Sequence, residues 1–172
     1  MIYKLQTKCD MLNQFDKIIN NAKESDWVDP KIAPANMGIS RIVLSDTLIQ
    51  ESNILSIFSK NFTVALSGIY RFPSYSFYDW HTDNTKGSGS RTCVINTVIR
   101  DDESLLLIQN GIHNQLTKKF IKIKYLPGEL YILDISNPHA LIAFEEPRYI
   151  LSMRITAPSY DDVVKFCKDN NL

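Results

Sequence analysis

His81-Thr82-Asp83 is the first group in this chain whose residue types and spacing suggest chemistry. On a strand, residues two apart point to one face, so an imidazole and a carboxylate project side by side and can share a divalent cation. Taken alone the spacing says little, because a surface histidine beside an aspartate explains most such tripeptides. His139 adds a second imidazole. It follows the turn signal Asn137-Pro138 and opens the apolar stretch Ala140-Leu141-Ile142-Ala143-Phe144, which puts it at a strand mouth, where barrel folds hold ligands. Two histidines and a carboxylate, with no cysteine nearby, form the facial triad suited to non-haem Fe(II) with three open positions. Zinc accepts the same donors, and ligand type leaves both metals open. His113, the remaining histidine of three, sits in the polar turn Asn110-Gly111-Ile112-His113-Asn114 and reads as a surface residue.

Arg148 is the next candidate. It stands nine residues after His139 and begins Arg148-Tyr149-Ile150-Leu151-Ser152-Met153-Arg154. An arginine entering an apolar strand is costly unless it meets an anion, and its planar fork matches a carboxylate bidentately. The competing reading is an edge-strand arginine that reaches solvent.

These side chains need a scaffold. Before residue 62 two stretches read as helices: 10–22, with Met11, Leu12, Phe15, Ile18, Ile19 and Ala22 on one stripe and Asp10 as N-cap, and 47–60, opened by Ser45 or Asp46. After it come eight strands, at 63–71, 77–82, 91–99, 104–109, 118–125, 129–134, 139–144 and 147–156. The breaks carry turn chemistry, including Asn110-Gly111, Pro127-Gly128 and Asn137-Pro138. A helix over 161–168 closes the chain. Strands this short and evenly spaced suit a mainly β barrel or sandwich, not alternating βαβ units. The expected organisation is one domain: helical support over 1–62, a β core over 63–156 and a C-terminal helix over 157–172.

Composition narrows the function classes. At 172 residues, 44% hydrophobic and 22% charged, the chain is an ordinary globular protein, which excludes disordered and fibrous classes. Its 19 basic and 19 acidic residues cancel, so a dominant role on nucleic acid or an anionic membrane is not expected. The start, Met1-Ile2-Tyr3-Lys4-Leu5-Gln6, shows no secretory h-region, and no apolar run is long enough to span a bilayer. Cys9, Cys93 and Cys167 are odd in number and lack metal-type spacing, which reads as reduced thiols and a cytoplasmic location.

Several motifs together resemble one family. Tyr78-Asp79-Trp80-His81-Thr82-Asp83 resembles the Y-x-x-H-x-D of prolyl 4-hydroxylases, and the glycine-bearing loop from Asn84 to Arg91 is similar to one in the oxygen-sensing prolyl hydroxylases. Asn137-Pro138-His139 followed by Arg148-Tyr149 resembles their distal N-P-H and R-Y pair at the same spacing, and Pro127 to Asp134 resembles the strand before it. The resemblance covers roughly residues 63–156 and is to the 2-oxoglutarate and Fe(II)-dependent oxygenases, in their prolyl 4-hydroxylase-like branch. It implies a double-stranded β-helix (jelly-roll, cupin-like) core. It implies that His81, Asp83 and His139 hold Fe(II), that Arg148 binds the distal carboxylate of 2-oxoglutarate, and that Tyr70 hydrogen-bonds the same carboxylate beside Ser152. Molecular oxygen (O2) then takes the last metal position, and a C–H bond is hydroxylated with succinate and CO2 as coproducts.

The chain also departs from that pattern. Thr97-Val98 stands where the sensing hydroxylases carry an aromatic, so a second tyrosine contact to 2-oxoglutarate is missing or supplied elsewhere. Arg154 replaces an aromatic six positions after Arg148, and by strand parity Arg148, Ile150, Ser152 and Arg154 share one face. Arg148 to Arg154 resembles the paired arginines of the nucleic-acid-demethylating branch; the plainer alternative pairs Arg154 with Asp79 or another acid. Trp80 has the opposite parity from His81 and is expected under a helix, while Tyr75, Phe77 and Tyr78 either wall the mouth or pack in the core. Arg91, Tyr78 and Arg154 are the candidate substrate contacts, for a small molecule, a peptide or a protein side chain. Alternatives are a cupin-type metalloenzyme or metabolite-binding module that does not use 2-oxoglutarate, and a demethylating oxygenase acting on a modified base.

Overall fold

The computed structural model of the chain describes residues 1–30, 38–82, 92–100, 103–110 and 119–172. In order, the elements are β1 (Ile2–Lys8), α1 (Leu12–Asn21), β2 (Ser40–Val43), α2 (Asp46–Glu51), α3 (Asn53–Asn61), β3 (Thr63–Phe72), β4 (Phe77–His81), β5 (Cys93–Val98), β6 (Leu105–Asn110), β7 (Lys119–Ile123), β8 (Glu129–Leu133), β9 (His139–Ile142), β10 (Arg148–Ala157) and α4 (Tyr160–Asp169). All eight expected strands are present, within about three residues at each end. Asp83, Arg91 and His113 lie outside the described residues.

Two antiparallel sheets result. The larger has the order β1-β8-β5-β10-β3-β2 and the smaller β4-β9-β6-β7. The central strands of the larger sheet are buried on both faces, which is why Glu129-Leu130-Tyr131-Ile132-Leu133 carries four apolar residues in a row. On one face Ile69, Ile95, Ile132, Leu151 and Met153 pack against Phe15, Leu55, Phe58 and Val163 of the helices. On the other, Tyr70, Val94, Tyr131, Leu133 and Ile150 meet Tyr78, Leu106, Ile108 and Leu141 of the smaller sheet. The jelly-roll core is therefore a sandwich with helices against the outer face of its larger sheet.

Three expectations about the first 62 residues are corrected. Helices do not make up that segment alone: β1 pairs with β8 and β2 with β3, extending the larger sheet at both edges. The second helix is broken at Ser52, whose extended backbone ends α2 and whose hydroxyl caps α3 by accepting from Leu55 N. Asp10 does not cap α1, where Met11 holds that place. Its carboxylate instead accepts from Ser52 Oγ at 2.6 Å and Asn53 N at 2.8 Å, so it anchors the start of α3.

Burial pushes the Asp10 carboxyl up, but the bonds from Ser52 and Asn53 outweigh it and hold the group below the usual carboxylate range. Asp10→Ala should therefore destabilise the fold by roughly 0.5–1 kcal/mol, the low end of the capping range because Asp10 is exposed. A group with a depressed folded-state pKa contributes fully above its unfolded value and loses that contribution as the pH falls through the folded one. Denaturant melts should show the wild-type advantage at neutral pH and its disappearance in acid.

Cys9, Cys93 and Cys167 are all buried and free. Burial pushes their thiols up to about 11, 12 and 11, which keeps them protonated and unreactive at neutral pH. No helix among the described residues is long and apolar enough to cross a membrane.

Candidate active site

His81 ends β4 and His139 begins β9, and the two face each other as a cross-strand pair. Their ring centroids are 4.3 Å apart. Each ring is oriented the same way: His81 Nδ1 donates to the Asp79 carbonyl at 2.7 Å, and His139 Nδ1 to the Asn137 carbonyl at 2.9 Å. A carbonyl oxygen can only accept, so each Nδ1 carries the proton and each Nε2 keeps the lone pair a metal needs. Among the described residues no third ligand-type side chain completes a metal-binding group; the expected third ligand, Asp83, is outside them. Tyr78 stands edge-on to His81 with its ring 4.0 Å away, and it is buried.

The histidines open into a cleft between the sheets, lined by Tyr70, Tyr78, Asn96, Ile150, Ser152 and Arg154 among others. The β10 parity expected from the sequence is observed: Ile150, Ser152 and Arg154 line the cleft while Leu151 and Met153 pack under the helices. Tyr75 and Phe77 do not wall the cleft; they are 77% and 48% exposed. Trp80 is 38% exposed rather than under a helix, because the helices cover the larger sheet and Trp80 belongs to the smaller.

Arg148 is fully buried, with its guanidinium 5.1 Å from the ring centroid of Tyr125. Sequence reasoning did not single out Tyr125. It follows β7 and precedes a type II turn, closed by Glu129 N donating to the Leu126 carbonyl at 3.0 Å, with Gly128 at φ +81°. That turn explains both Pro127 and Gly128, and it brings Tyr125 against Tyr131 of β8, ring centroids 4.5 Å apart. The Tyr125 hydroxyl is buried beside the Asn96 side chain, with which it interacts. Burial drives the Tyr125 phenol far above its usual value, so it stays a donor at all physiological pH. Tyr70, expected to hydrogen-bond the carboxylate that Arg148 binds, has the Arg154 guanidinium 5.0 Å from its ring centroid. Arg41 of β2, also not anticipated, donates from Nη1 to the Tyr70 hydroxyl at 3.4 Å.

No protein-family profile matches the sequence, and no curated protein matches it. Solved structures do match the fold. A prolyl-4-hydroxylase from Pseudomonas putida superposes with a TM-score of 0.68 at 11% identity, covering 92% of this chain and 93% of that one. A prolyl hydroxylase from Trichoplax adhaerens, in complex with a hypoxia-inducible-factor oxygen degradation domain peptide, gives 0.67 at 15% identity over 90% and 82%. The viral collagen prolyl hydroxylase of Paramecium bursaria Chlorella virus-1, in its 2-oxoglutarate complex, gives 0.57 at 12% over 90% and 94%. The fold is thus that of the prolyl 4-hydroxylase-like 2-oxoglutarate/Fe(II) oxygenases.

Proposed function

We propose that the protein is a 2-oxoglutarate- and Fe(II)-dependent dioxygenase that hydroxylates an unactivated C–H bond of an amino acid, peptide or protein side chain, releasing succinate and CO2. The observation that carries this reading is the cross-strand pair of histidines, each with Nδ1 donating to a main-chain carbonyl, which fixes the tautomer whose Nε2 can ligate a metal. The donor set fits Fe(II): two imidazoles, the Asp83 carboxylate two residues after His81, and three thiols buried and protonated elsewhere. When bound, Fe(II) with 2-oxoglutarate and O2 supplies the oxidising power for C–H cleavage. His81, Asp83 and His139 would hold the metal. Arg148 would clamp the distal carboxylate, with Ser152 along the same strand face. The apolar walls from Val94, Leu106 and Ile150 keep bulk water from the reacting centre.

For the second hydroxyl on that carboxylate we assign Tyr125 rather than Tyr70. Its ring lies against the Arg148 guanidinium, which puts its buried hydroxyl, beside Asn96, next to the group that would clamp that carboxylate. Tyr125→Phe should weaken 2-oxoglutarate binding about tenfold, the value of one hydrogen bond to a charged group at roughly 1.5 kcal/mol. Anaerobic calorimetry measures it; the corresponding Tyr70→Phe change should leave the affinity within a factor of about three.

The reading as a whole is tested by adding Fe(II) and then 2-oxoglutarate to the protein without oxygen. A weak visible metal-to-ligand band should develop with one equivalent of each. A flat spectrum together with no calorimetric heat overturns the proposal.

A further inference from the structure

We infer that Asp79 is the positioning residue for His81: its side chain fixes a β-bulge that turns the imidazole into the cleft. The inference rests on the oxygenase reading, in which His81 is a metal ligand. β4 runs against β9 with Phe77 opposite Ile142 and Tyr78 opposite Leu141, but the next matched pair is His81 with His139. The chain advances three residues on β4 for two on β9. Asp79 and Trp80 together therefore stand opposite the single residue Ala140, which is the two-against-one arrangement of a bulge.

The bulge decides which face His81 takes. Side chains alternate along an unbroken strand, so residues 78 and 81, three apart, would point to opposite faces. Here both line the cleft, with ring centroids 4.0 Å apart. Tyr78 is the fixed member of the two, buried in the core between the sheets with Phe72 and Leu141. With Tyr78 held there, a β4 of regular pleat would send Trp80 inward and His81 to the far side of the sheet, away from His139. His139 needs no such device, because it enters β9 directly from a turn.

Asp79 suits the place it occupies. Aspartate is a poor strand former, because its short carboxylate competes for nearby main-chain donors, and a bulge offers such a donor outside the regular ladder. Asp79 serves the bulge twice. Its Oδ1 accepts from Trp80 N at 2.6 Å, and its main-chain carbonyl accepts from His81 Nδ1 at 2.7 Å. One residue thus holds both the irregular backbone and the rotation and tautomer of the ring. The side chain is exposed and adds nothing to the core. The carboxylate that the sequence offered as a partner for Arg154 is the one used here.

Three variants separate acceptor, charge and reach. Asp79→Asn keeps an oxygen at the same distance from the backbone. Asp79→Glu keeps the charge but moves it one methylene too far to close onto Trp80 N, and Asp79→Ala removes both. Two readouts apply: calorimetric affinity for Co(II), and the ring-nitrogen resonances of the histidines in metal-free protein under mildly alkaline conditions. Asp79→Ala and Asp79→Glu should each weaken Co(II) binding by about 10- to 100-fold, the usual effect of losing a group that orients a ligating histidine. In both, the His81 ring should become a mixture of tautomers while His139 keeps its proton on Nδ1. Asp79→Asn should stay within about threefold of wild type and keep the wild-type His81 signals, and melting temperatures should remain within a few degrees throughout. If Asp79→Ala does not fold, the Asn and Glu variants carry the test. Wild-type Co(II) affinity and an unchanged His81 ring in Asp79→Glu overturn the inference. So does an Asp79→Asn variant as impaired as Asp79→Glu, which would make the role one of charge. If the wild type binds no Co(II), the oxygenase reading falls, and the His81 resonances of the metal-free variants still decide whether Asp79 holds the ring.

Discussion

His139→Ala is expected to abolish turnover and metal binding together while leaving the thermal transition within a few degrees of wild type. The two parts have different causes. On the proposed reading turnover would need the metal, and loss of one of its three protein ligands would leave the ion weakly held. Stability has another source. His139 is only partly buried, whereas Phe15, Leu55, Phe58, Ile95, Ile132 and Met153 of the outer core are at or near zero exposure. Burial of apolar surface on that scale, at about 25 cal/mol per Å², holds the sheets without help from a ligand set. His81→Ala should behave the same way. Chelation with EDTA should remove activity and Fe(II) should restore it, with the circular dichroism spectrum unchanged throughout. If chelation melts the protein, the metal is structural and the site has been misread.

Much of this scaffold is legible in the sequence because its signals are local. Eight strands are bounded by turn residues whose chemistry is self-contained, as in Leu126-Pro127-Gly128-Glu129, and β10 alternates strictly enough for parity alone to turn Ile150, Ser152 and Arg154 inward. What escaped notice depends on partners distant in sequence. β1 reads as a polar stretch because Lys4 and Gln6 interrupt its apolar residues, and Lys4 is used to reach Glu129, 125 positions away. The break at Ser52 lies inside a continuous helical stripe and is stabilised by Asp10, 42 positions earlier. Tyr125 sits at the end of a strand like any other aromatic; its place against Arg148 arises from how β7, β8 and β10 are arranged across two sheets. Arg41 is on a four-residue edge strand too short to announce itself. The facing histidines were legible because H-x-D and N-P-H are compact; Tyr125 and Arg41 were not, because the fold brings them to the cleft region from separate strands.

Arg148→Lys is the second large effect, and it isolates geometry from charge. The side chain is fully buried, so its guanidinium cannot be replaced by a solvent cation, and its plane lies over Tyr125. A carboxylate accepts two parallel N–H bonds from a guanidinium but a single, freely rotating contact from an ammonium. Losing one charge-assisted bond costs roughly 1.5–3 kcal/mol, so the affinity for 2-oxoglutarate should fall by about 10- to 150-fold. The turnover number at saturating 2-oxoglutarate should change far less, because the lost contact is made equally before and during reaction. Lysine adds a pH dependence that arginine lacks. Burial lowers an amine's pKa, so as the pH rises through that lowered value the ammonium becomes neutral and loses its attraction for the carboxylate. The variant's affinity should therefore decline with increasing pH above neutrality while the wild type's stays level, both followed by anaerobic calorimetry. An unchanged dissociation constant in Arg148→Lys would remove the carboxylate clamp from Arg148 and leave it as a buried cation that stacks on Tyr125.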